Sequence, residues 1–263
     1  MKKTLTLLAI LAAIGPAWGA EVVSSNIVGY NKVNLYPGLT MAGIQFQAIG
    51  DSNREIDIQD VVSIEGLTGF DWDSFDGGDQ MIIWSPSDQL YTTTYVWSDA
   101  DPFGAGTENK WIDDSFSPAE DVLKTGDAVF FNSSSDKTLT AVFSGEVSDM
   151  TAAISLHVSP GLTMLANPFP FELKINENMT PSGLVGFDWD SFDGGDQLIV
   201  WNPEEQLYDE TYIWSDSDPF GTGTQNKWID DSFSPAEASI PVGGAFFINT
   251  SGEGGSISFA PAN

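Results

Sequence analysis

Gly66–Trp84 reads GLTGFDWDSFDGGDQMIIW, and Gly183–Trp201 reads GLVGFDWDSFDGGDQLIVW. A second pair follows at the same spacing of 117 residues: WSDADPFGAGTENKWIDDSFSPAE from Trp97, and WSDSDPFGTGTQNKWIDDSFSPAE from Trp214. Across 66–120 and 183–237, 12 of the 55 aligned positions differ, so the two stretches encode one structural unit used twice. Several differences are volume-conserving swaps between apolar residues, such as Met81/Leu198, Ile83/Val200 and Val96/Ile213. Thr92/Asp209 and Thr93/Glu210 read as solvent-facing.

Outward from this segment the likeness thins. Pro37-Gly38-Leu39-Thr40-Met41 returns as Pro160-Gly161-Leu162-Thr163-Met164 at a spacing of 123, so the second copy is six residues shorter before Gly183. Downstream, GDAVFFNS from Gly126 pairs with GGAFFINT from Gly243.

Short runs rich in Val, Ile, Thr, Tyr and Phe alternate with clusters of Gly, Pro, Asn, Asp and Ser, the pattern of strands and turns. In copy one it predicts strands over Asn26–Leu35, Leu39–Gln47, Gln80–Trp84, Leu90–Trp97, Lys110–Ile112, Ala128–Asn132 and Thr138–Val147. In copy two they fall at Ala152–Val158, Leu162–Asn167, Gln197–Trp201, Leu207–Trp214, Lys227–Ile229, Ala245–Asn249 and Ser256–Ala260. One short helix is expected near Ile56–Val62. The fold expected is all-β: two tandem homologous antiparallel domains, each a β-sandwich or open barrel. The boundaries read as 21–148 and 149–263. A linker as short as Ser148-Asp149-Met150 implies close contact between the units.

Residues 1–20 read as a secretory signal peptide: Lys2 and Lys3, an apolar run from Leu5 to Ile14, then Ala17-Trp18-Gly19 as a small-x-small cleavage site. The expected location is the periplasm, the cell surface or the medium, with no transmembrane anchor. There is no Cys, which excludes disulfides and thiol chemistry. Without Lys2 and Lys3, 7 basic residues face 38 acidic ones, a net charge of −31. That charge argues against nucleic acid as a partner. It suits adaptation to salt, a cation binder, or a binder of cationic surfaces.

Two constellations carry candidate chemistry. Asp71, Asp73, Asp76 and Asp79, with Asp188, Asp190, Asp193 and Asp196 in copy two, combine alternating acids with a Gly-Gly turn. Calcium takes six to eight oxygens of this kind, and these residues are the expected calcium ligands. The acid spacing departs from that of an EF-hand loop. The same residues also suit solvated turns in which Asp caps backbone amides, and both readings stand at this level. The second constellation is aromatic. Trp84 and Trp97 end predicted strands and are expected in the core. Trp72 and Trp111, with Trp189 and Trp228, sit among Gly and Asp and are expected to expose rings for sugar stacking. Asp99, Asp101, Asp216 and Asp218 would bond the hydroxyls. The alternative is that all the tryptophans are core or loop anchors. Lys110 and Lys227 are expected to neutralise neighbouring acids.

The only histidine, His157, falls on a predicted strand and has Asn34 as its counterpart, so no nucleophile–base pair gathers around it. The opening Ser25-Asn26-Ile27-Val28-Gly29-Tyr30, with Pro37–Met41, Gly77-Gly78-Asp79-Gln80 and Gly126-Asp127-Ala128, resembles a group of secreted, uncharacterised bacterial β-rich proteins carrying an S-x-N-I-V-G-Y segment after the signal peptide. The resemblance covers most of copy one and implies secretion and a β fold. The function expected is a secreted, non-catalytic structural or binding component that meets glycans or other surface proteins. The alternatives are a carbohydrate-binding module and a glycan hydrolase using paired carboxylates.

Overall fold

A computed structural model describes residues 27–149 and 151–261. The expected signal peptide, the stretch to Asn26 that opens the family-like segment, and Met150 of the linker lie outside the described residues. The first half holds β1 (Val28–Leu35), β2 (Gly38–Gly43), β3 (Phe46–Gln47), β4 (Glu55–Asp57), β5 (Val62–Ile64), β6 (Gln80–Ser85), β7 (Leu90–Ser98), β8 (Lys110–Ile112), β9 (Val122–Lys124), β10 (Ala128–Ser133) and β11 (Leu139–Val147). The second holds β12 (Ile154–Val158), β13 (Gly161–Ala166), β14 (Leu173–Lys174), α1 (Ile175–Asn178), β15 (Met179–Ser182), β16 (Gln197–Asn202), β17 (Leu207–Ser215), β18 (Lys227–Ile229), β19 (Ser239–Ile240), β20 (Ala245–Thr250) and β21 (Gly255–Phe259).

The repeat is visible in the topology. A five-stranded antiparallel sheet, β2-β10-β6-β7-β8, recurs as β13-β20-β16-β17-β18. In the first half a second sheet, β1-β11-β3 with β5 also on β11, shares its core. In the second half that role falls to β12-β21-β15. Each half is thus an antiparallel sandwich. Small ladders, β4 with β9 and β14 with β19, occupy matching places.

The period-two alternation of β10 explains how the halves meet. Val129 and Phe131 enter the core of their own half, beside Met81, Trp111 and Phe143. Phe130 and Ala128 point the other way, into a cluster shared with Met164, Ala166, Ala245 and Phe247 of the second half. In β20, Phe246 and Ile248 face their own core while Phe247 and Ala245 face the first half. Each Phe-Phe pair therefore serves two cores at once.

The polar contacts at the centre of this interface are reciprocal. Trp84 Nε1 donates to Leu162 O (2.9 Å) and Trp201 Nε1 to Leu39 O (3.1 Å). Gln89 accepts from Leu162 N (2.7 Å) and donates to Leu162 O (3.0 Å). Gln206 does the same at Leu39 (2.7 and 2.8 Å). The backbone joins in, with Gly43 N to Gly243 O and Ala166 N to Gly126 O, both 2.9 Å. Each of these bonds has its counterpart, as an approximate two-fold relation requires, while Asn31 Nδ2 to Val242 O (3.2 Å) and the Tyr36 hydroxyl to Glu204 (2.6 Å) occur on one side only. Gly38 and Gly161 adopt φ of +83° and +80°, and a Cβ on either would run into the Gln206 or Gln89 amide.

The structure adds short strands that were not expected, β9, β14, β15 and β19, and departs from two expected elements. Leu39–Gln47 is two strands, because the chain leaves one sheet after Gly43 and joins the other at Phe46. Ile56–Val62 is not a helix: Glu55–Asp57 pairs with β9 and Val62–Ile64 with β11. The one helical turn among the described residues, α1, occupies the equivalent place in the second half. There Asn176 bonds Trp228 and Ala236 just as Gln59 bonds Trp111 and Ala119.

Candidate functional site

In each half three loops converge: Gly66–Asp79 before β6, 99–109 between β7 and β8, and 113–118 after β8. Their aromatic rings hold them together. Trp72 is the hub, with Phe70 at 5.0 Å, Phe103 at 5.6 Å, Phe116 at 5.8 Å and Phe75 at 6.4 Å between centroids. Most of these pairs are edge-to-face, the arrangement the ring quadrupoles favour. Trp72 Nε1 donates to Ser98 Oγ (3.2 Å), which fixes the indole against the end of β7. The second half repeats the cluster as Phe187, Phe192, Phe220 and Phe233 around Trp189, with Trp189 Nε1 on Ser215 Oγ (3.1 Å).

The tryptophans are not the exposed rings. Trp72 is half-buried and Trp189 buried. Trp111 and Trp228, expected at the surface, are wholly buried against Trp97 and Trp214. Both stand on the three-residue strands β8 and β18, whose side toward the core cannot be told from so short a run. The rings that reach solvent are phenylalanines. Phe75, Phe103, Phe116, Phe192, Phe220 and Phe233 are between 40% and 69% exposed. Four of them, Phe75, Phe116, Phe192 and Phe233, hold φ of +54° to +59°. A bulky side chain there costs on the order of 1–3 kcal/mol and persists only where its surroundings impose it. Sequence reasoning passed over these residues. The available signal was a large apolar ring in D-S-F-D-G-G, D-P-F-G and D-S-F-S turns, identical in both copies.

The aspartates divide their tasks. Asp79 and Asp196, expected as metal ligands, are buried structural anchors. Asp79 accepts from Thr68 N (2.9 Å), Ser134 N (2.6 Å) and Ser134 Oγ (2.8 Å), and Asp196 accepts from Val185 N, Ser251 N and Ser251 Oγ. Asp71 caps its own turn. Hydrogen bonds from Ser74 Oγ, then from Asp73 N and Ser74 N, hold its carboxyl below the ordinary value, and Asp188 matches it. Asp101 and Asp218 cap the 99–109 and 216–226 loops through backbone amides, those of Gly106 and Gly223 foremost, and are likewise lowered. Asp99 and Asp216 lie against Gly69 and Gly186, where a Cβ would overlap their carboxylates. Asp73, Asp76, Asp190 and Asp193 stay exposed on the loop surface. Among the described residues no group of three or more His, Cys, Asp or Glu is gathered to hold a metal ion. His157 is exposed on β12 opposite Ser256. No helix among the described residues is long and apolar enough to cross a membrane.

Compared with known proteins, the chain matches no family model, no curated protein and no solved structure. The loops must therefore be read from their own chemistry. They offer a fixed apolar surface with carboxylates beside it.

Proposed function

We propose that this is a secreted, non-catalytic protein, a structural or binding component of a cell surface or extracellular layer, and that the aromatic loops are its binding surfaces. One observation carries the reading most directly. Strained, solvent-exposed phenylalanines occur at the same positions of both halves. The Lys-Lys start and apolar run of residues 1–20 support secretion. Purified protein assayed against glycan and peptide substrate panels is expected to show no turnover. Turnover abolished by Asp73→Asn with Asp190→Asn would make it a hydrolase instead.

Glycan binding is the competing form of the same idea, favoured by exposed rings next to carboxylates. A glycan array is its test: binding lost in Phe103→Ala with Phe220→Ala would favour it. Calcium enters as a stabiliser of the exposed carboxylates of Asp73, Asp76, Asp190 and Asp193. Extracellular sites of this kind fill at about 10⁻⁴–10⁻³ M. The melting temperature should then rise more with calcium than with NaCl of equal ionic strength, and equal shifts would remove calcium from the reading.

A further inference from the structure

Each half presents three exposed phenylalanine rings that pack on a tryptophan already fixed by a hydrogen bond. The loops that carry them are braced by the Asp71 and Asp101 caps and the buried Asp79, so the surface is formed before anything binds. Preformed apolar surface of this kind marks interaction sites. Asp73 and Asp76 flank Phe75 in the chain, and Asp114 precedes Phe116 by two residues. None of these acids is in an ion pair: the salt bridges among the described residues are Lys124–Glu55 and Lys174–Glu177.

The charge decides among occupants. A second copy placed loop against loop would set the same acidic rim against its equal, and like-sign rims repel. A neutral sugar would stack on the rings and donate hydroxyl hydrogen bonds to the carboxylates, but it brings no opposite charge. A basic polypeptide answers both features, because Lys and Arg cations lie over aromatic faces and pair with carboxylates at the rim. We infer that each aromatic loop cluster is a docking surface for a Lys/Arg-rich segment of a partner protein, two such surfaces per chain. This rests on the binding role proposed above and names its partner.

The probe is an eight-residue peptide of alternating Arg and Gly, titrated calorimetrically into the full-length mature chain in 150 mM NaCl. The expected result is two equivalent sites per chain. Phe103→Ser with Phe220→Ser should weaken binding at least fivefold while leaving net charge unchanged. Those side chains are 69% and 63% exposed, so the melting temperature should hold. Asp76→Asn with Asp193→Asn should also weaken binding, and more so at low salt. Equal affinity in the phenylalanine variant would overturn the inference, since binding would then be charge attraction alone. So would absence of peptide binding, tighter binding of cellohexaose that the same variant abolishes, or self-association lost in that variant. None of these outcomes involves turnover, so the inference can fail while the non-catalytic reading stands.

Discussion

At the scale of single residues, Gln89 and Gln206 do what an edge strand would do. Each amide offers one acceptor and one donor to the N–H and C=O of a leucine in the opposite half. That arrangement requires glycine beside the leucine, on account of both the positive φ at Gly38 and Gly161 and the closeness of the Gln amides. Gly161→Ala should lower stability by more than about 1 kcal/mol, from the left-handed backbone alone. Gln89→Ala should cost about 1–2 kcal/mol, since the exposed amide bonds Pro86 O and Pro160 O as well as Leu162. The double variant should fall short of the sum, because the methyl group added by Gly161→Ala already displaces the Gln89 amide. Urea denaturation midpoints of the four proteins test this, and strict additivity would show that the amide does not read the leucine backbone.

At the scale of elements, the strands contribute the scaffold and the turns contribute the surface. The turns depend on ionised aspartates. Asp71, Asp101, Asp188, Asp218 and Asp230 all have folded-state values below those of the unfolded chain, each because hydroxyl or backbone N–H groups bond the charged form. Such groups contribute stability above the unfolded value of about 3.9, and the contribution is lost as pH falls through the lowered folded values. Unfolding free energy should therefore drop as pH falls from about 5 through and below the unfolded value of about 3.9, and less steeply in Asp71→Asn with Asp188→Asn. An unchanged slope would mean that these caps do not bias the turns. The sequence showed the long strands because alternating apolar residues and Gly- or Asp-rich breaks mark them. It could not show Leu173–Lys174 or Ser239–Ile240, since two residues carry no period. Nor could it tell Trp111 from Phe116, because burial of a ring beside a turn depends on which sheet the turn crosses. The identical loop positions marked this surface, but the rings that reach solvent on it are phenylalanines and not Trp111 or Trp228.

At the scale of the whole molecule, the duplication explains itself through the interface. The retained Pro-Gly-Leu-Thr-Met segment of each half meets the retained tryptophan and glutamine of the other, so one set of residues serves as both surfaces of an isologous contact. Tyr91 borders it. Burial first, and then the neighbouring Tyr208, raises the Tyr91 hydroxyl to about 12, so its contribution is complete below pH 10 and lost between about pH 10 and 12. A Tyr91→Phe chain should lose less stability over that range than the parent. The geometry also bears on the first half in isolation. Residues 21–148 contain Leu39, Trp84, Gln89 and Phe130, and therefore both partners of every reciprocal bond named above except the backbone pair to Gly243. That pair has its own equivalent in Gly126, which receives Ala166 N in the full chain. A fragment of 21–148 should thus form a homodimer in which Gln89 of each copy reads Leu39 of the other. Leaving this apolar face uncovered in a free fragment is otherwise unfavourable, since Phe130 and Met41 would stand in water. Sedimentation of the fragment should give a dimer, and Trp84→Ala with Gln89→Ala should shift it to monomer. A folded wild-type fragment that stays monomeric at every concentration would show that the two halves, alike as they are, recognise each other through what differs between them.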